Sequence, residues 1–129
     1  MKKRALALFV SGMWVSFSEF FRNEILFKQY WLDKYQSLNL LFPSEPINGV
    51  IWGVWSFVMA GVILFLVHRL KLIETVFVSW IMSFVMMWLV IGNLNVLPVG
   101  LLLFAIPLSL LEVTMAAFIS VKILKSGAK

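Results

Sequence analysis

Two of the six acidic side chains, Glu19 and Glu112, interrupt long apolar runs, and any chemistry this chain performs should involve them. Inside hydrocarbon an ionised glutamate costs at least ~3 kcal/mol unless it is paired, hydrated or protonated. Glu112 lies in the run Ala105, Ser109, Glu112, Ala116, whose steps of four, three and four place all four residues on one helix face. Its expected neighbours are the hydroxyls of Ser109, Ser79 and Ser11 and no cation. The sequence therefore predicts a Glu112 held neutral and donating a hydrogen bond across a helix bundle. Glu112, Ser79, Ser109 and Ser11 form a candidate ligand or proton site, competing with a purely structural hydrogen bond.

Glu19 has Arg22 one turn further on and Asn23 at i+4, and Asn48, Asn93 and Asn95 are expected at the same level on other helices. These six residues form a second candidate, an outer polar cluster. It would serve either as a solvated helix end with a weak ion pair or as a vestibule for a polar ligand or lipid headgroup.

Other chemistry is thinly represented. The single histidine, His68, sits beside Arg69 at a helix end and cannot build a metal or haem site alone. Met82, Met86 and Met87 fit core packing better than soft-metal ligation. The chain has no cysteine, hence no disulfide and no thiolate chemistry. Glycine-rich phosphate loops, zinc-protease motifs, nucleophile elbows and Ser/His/Asp sets are missing. No cofactor and no metal are expected, and an enzyme is disfavoured.

The elements that must position the two glutamates follow from composition. Of 129 residues, 62% are hydrophobic and 13% charged, too few polar groups to cover a water-soluble core. Lipid is the expected solvent. Crossing ~30 Å of hydrocarbon takes ~20 helical residues, so four spans fill the chain as one domain. The sequence predicts an all-α integral membrane protein, an antiparallel bundle with helices at 5–24, 47–68, 72–91 and 99–121.

Pro46 opens the second span and His68-Arg-Leu-Lys71 closes it. The 37 uncharged residues from Thr75 to Leu111 are too many for one helix, and the turn-forming stretch Gly92-Asn-Leu-Asn-Val-Leu-Pro98 divides them. The first span competes with a signal peptide, because Ser16-Phe-Ser18 offers a small-x-small cleavage pattern. A retained helix is the expectation. Residues 25–45 carry Phe27, Tyr30, Trp31, Tyr35 and Leu38 at helical spacing and should lie along the outer interface or prolong the first helix.

Eight lysines and arginines fall on one side of this arrangement and three on the other, which predicts both termini inside. The net charge of +5 then reflects orientation, with no nucleic-acid partner, since the basic residues form no stripe with interleaved aromatics. Small residues at heptad-like steps should mark the contact faces. They are Gly12, Ser16, Glu19 and Asn23; Gly49, Gly53, Ser56 and Ala60; and, more weakly, Thr75, Ser79, Met82 and Met86.

The expected partners are the bilayer and a homodimer or larger membrane complex. The leading functional reading is a non-enzymatic assembly or accessory component of a cell membrane. Two others compete: a proton-coupled small-solute carrier or channel using Glu112 and the Glu19 cluster as a homo-oligomer, and a protein that binds a lipid or small ligand.

Overall fold

A computed structural model describes residues 1–126, and all regular structure among them is helical. Helix α1 (Lys2–Phe20) continues directly into a widened π-helical turn at Phe21–Leu26. A short helix α2 (Lys28–Ser37) follows. The chain then reverses at Asn39, whose φ of 54° places it in the left-handed region that asparagine tolerates.

Helix α3 (Pro46–Leu66) starts with proline at its first position, where the missing N–H costs no intrahelical bond. Helix α4 (Leu72–Trp80) opens with the Glu74 carboxylate accepting the Lys71 backbone N–H at 2.9 Å. A second π-helical turn, Ile81–Val85, joins α4 to α5 (Met86–Asn93). A left-handed Asn95 and a 3-10 turn at Val99–Leu101 lead into α6 (Leu102–Lys125), which passes through Pro107 unbroken.

Three of these rods are long and apolar enough to cross a membrane: Pro46–Leu66, Leu72–Asn93 and Val99–Lys125. Helix α1 packs against α3 and α6, and α4 packs chiefly on α6. The contact faces are lined by small and branched residues. Ala7, Val15, Ala60, Ile63, Val113, Ala116 and Ala117 are fully buried, together with the hydroxyls of Ser11, Ser56, Thr75, Ser109 and Ser120. Side chains of this size let helices approach closely.

The expected seams hold to different degrees. On α6, Ala105, Ser109, Glu112 and Ala116 are all buried. On the third rod Thr75 and Ser79 are buried, but Met82 and Met86 are 56% and 55% exposed and Phe84 takes the inner position. The π turn explains the change: one extra residue per turn rotates the following face, so the step-of-three continuation from Ser79 misses the core. On α3, Ser56 and Ala60 are buried, whereas a Cβ at Gly49 or Gly53 would meet nothing within 4 Å.

Candidate functional site

One residue of the first predicted cluster, Glu112, meets three of the second, Glu19, Arg22 and Asn23. Arg22, on the π turn after α1, pairs through Nη2 with Glu19 Oε1 one turn back and through Nη1 with Glu112 Oε2 of α6 at 3.1 Å. All three side chains are buried: Arg22 is 6% exposed, Glu19 4% and Glu112 1%. The expectation that Glu112 has no cation beside it is thus corrected.

The reason lies in side-chain direction. In a helix the Cα–Cβ bond tilts toward the N-terminus. Helices α1 and α6 run antiparallel, so Arg22 leans back along α1 while Glu112 leans the opposite way along α6. Long side chains thereby bridge a gap that a comparison of Cα heights leaves open.

The surrounding groups hold this geometry. Ser18 Oγ donates to Glu112 Oε2 at 2.7 Å, and the Trp14 indole N–H donates to the Glu112 backbone carbonyl at 3.0 Å. Asn23 Nδ2 donates to Glu19 Oε2 at 2.9 Å, and Trp31 Nε1 of α2 donates to Asn23 Oδ1 at 3.1 Å. The Arg22 guanidinium lies 5.0 Å from the ring centroid of Phe84, a cation–π contact supplied by the third rod. Phe84 in turn packs edge-on against Trp55 at 5.9 Å. Both π turns therefore converge here, one carrying Arg22 and the other Phe84. Such turns occur often at functional sites.

The other predicted residues are elsewhere engaged. Ser109 Oγ accepts from Trp80 Nε1 at 2.8 Å and donates to the Ile106 carbonyl at 2.9 Å. Ser11 Oγ donates to the Ala7 carbonyl at 2.5 Å, and the buried Ser79 hydroxyl makes no hydrogen bond. None of the three bonds Glu112; Ser18 does. In the outer cluster, Glu19, Arg22 and Asn23 come together. Asn95 Oδ1 instead accepts from Lys34 at 3.1 Å, and Asn48 and Asn93 make no side-chain hydrogen bond to the triad. Sequence reasoning missed Ser18, Trp14, Trp31 and Phe84. The available signal was position: Ser18 and Trp14 sit one and two turns before Arg22, on the flank of the same face.

Chemically the site is a guanidinium fork between two carboxylates, closed by a hydroxyl, an amide and aromatic rings. Glu112 Oε1 has no hydrogen-bond donor, and Glu19 and Glu112 are both held by the one guanidinium of Arg22. Among the described residues no three His, Cys, Asp or Glu side chains converge as a metal site would require. An apolar groove of about 450 Å³ opens between α3 and α5, lined by Trp55, Met59, Val62, Met82, Met86 and Ile91. No member of the triad lines it. No protein-family model, curated protein or solved structure matches the chain.

Proposed function

We propose that this chain is a non-enzymatic component of a cell membrane that crosses the bilayer four times and assembles with a second copy of itself through the outer half of α3. The fourth crossing is α1 with its π turn, Lys2 to Leu26, with both chain ends on the inner face. Its internal charges, Glu19 and Arg22, are drawn into the buried triad, which lowers the cost of placing them in lipid.

The observation that carries the assembly reading is the open end of the α3 seam. Gly49, Gly53, Ser56 and Ala60 share one face; its lower part is buried within the chain, while Gly49 is exposed, Gly53 half-buried, and a Cβ at either would meet nothing within 4 Å. A Gly-x-x-x-Gly with open space beside both glycines is suited to close helix contact in lipid, and a face meeting its own copy about a twofold axis is the commonest way such a contact closes.

Energy transfer between donor- and acceptor-labelled copies in liposomes, across a dilution series in lipid, tests this reading. Association that weakens when Gly49 and Gly53 are both replaced by leucine supports it. A monomer at every protein-to-lipid ratio ends it, and association unchanged by those substitutions moves the interface elsewhere.

A further inference from the structure

The triad holds two carboxyl groups against one guanidinium. The groups facing it from each packed element are few. Helix α1 and its π turn bring Glu19 and Arg22, and α6 brings Glu112. Helix α3 has no charged side chain along Pro46–Leu66, and the third rod has only Glu74, which caps the far end of α4. From α2 and the turn before it, Lys28 is engaged with Glu24, Lys34 with Asn95 and Asp33 with Gln29, all exposed pairs away from the site. With both glutamates ionised, the cluster would be one positive charge short in a place that is almost dry.

Two further observations point to what supplies that charge. Glu112 Oε1 is buried without any donor. The Glu19 and Glu112 carboxyl groups also share one guanidinium, Glu19 Oε1 on Nη2 and Glu112 Oε2 on Nη1, which holds them close enough to repel when both are ionised. We propose that the Glu19–Arg22–Glu112 triad is a proton-binding site that takes one exchangeable proton from solvent, shared between the two carboxyl groups, so that the cluster is neutral at neutral pH. On release the proton returns to water, both carboxyl groups are ionised, and the triad as a whole is left with one uncompensated negative charge. The site stands independently of the association through α3.

Infrared spectroscopy of the purified full chain in lipid, in H₂O and D₂O at neutral pH, tests the proposal. The wild type should show the stretch of one protonated carboxyl group per chain, shifted by deuterium. Glu19→Gln and Glu112→Gln should each abolish it, because either leaves one carboxylate balanced by Arg22. Arg22→Met should double it, because both glutamates then need a proton. The amide band reports in the same spectrum whether each variant is folded, and the wild-type spectrum decides alone if a variant is not. Absence of a protonated carboxyl band in the wild type overturns the proposal, as does a band that survives both glutamine substitutions in folded protein. Stabilisation by Na⁺ at constant ionic strength, with no such band, identifies a metal ion as the missing charge and also overturns it.

Discussion

Replacing Arg22 by methionine leaves two carboxyl groups, 4% and 1% exposed, without their shared cation, while keeping a side chain long enough to fill the space over Phe84. Removing one partner from a buried charged network costs ~3–5 kcal/mol, because each remaining carboxyl group must either stay charged without water or counter-ion or be forced to take up a proton. Glu112→Gln is a different perturbation. Its amide oxygen can still accept from Ser18 Oγ, and the Glu19–Arg22 pair stays balanced. Only one charge-assisted contact is lost, at a cost of about 1–2 kcal/mol. Arg22→Met should therefore destabilise the protein more than Glu112→Gln by roughly 2–3 kcal/mol.

Reversible unfolding in mixed micelles of increasing sodium dodecyl sulfate measures both variants. Tryptophan fluorescence is a fitting probe, since Trp14 is bonded to the Glu112 backbone and Trp31 to Asn23. The reasoning fails if the two variants lose equal stability. It fails equally if Arg22→Met stays within ~0.5 kcal/mol of wild type, the range of an ordinary surface substitution.

Three other outcomes are expected. A Cβ on Gly12 would lie 2.6 Å from two ring carbons of Phe57, so Gly12→Val should cost ~1–3 kcal/mol in the same unfolding assay, with part of the loss recovered by Phe57→Ala. Trp80→Phe removes the donor to Ser109 Oγ but leaves that hydroxyl its bond to Ile106, so a loss of about 1 kcal/mol is expected; a loss several times larger would mean that the ring's packing dominates. For orientation, the absence of native cysteine permits labelling: in intact cells an impermeant thiol reagent should modify Ser37→Cys and spare Ser126→Cys. The reverse pattern would invert the proposed topology.

Much of the helical layout is legible in the residues. Pro46 marks the start of α3, the Asn- and Pro-containing stretch before Val99 divides the long uncharged run, and the α6 seam through Ser109 and Glu112 is buried as its spacing predicts. These succeed because proline, asparagine and small-residue periodicity act locally.

The triad was hidden for two physical reasons. Rise along a helix axis locates Cα atoms, whereas Arg22 and Glu112 meet through opposed side-chain leans from antiparallel helices, an effect that a depth comparison omits. The π turns at Phe21–Leu26 and Ile81–Val85 each add a residue to a turn with no strong signal in composition. The second of them exchanges Met82 for Phe84 on the inner face, which supplies the ring beneath Arg22. Trp31 belongs to the aromatic segment between the first two long helices, and its bond to Asn23 depends on where α2 packs, which spacing along the sequence does not state.

Exchange of the two charges tests most directly whether the first helix is fastened to the last by this buried network. Arg22→Glu and Glu112→Arg together keep two carboxyl groups and one guanidinium in the same pocket. The expected result is that each substitution alone abolishes cooperative unfolding or costs ~3–5 kcal/mol, and that the double variant regains a substantial part of the loss. A double variant no more stable than the weaker single one, or as damaged as the sum of both, would contradict the pairing of Arg22 with Glu112.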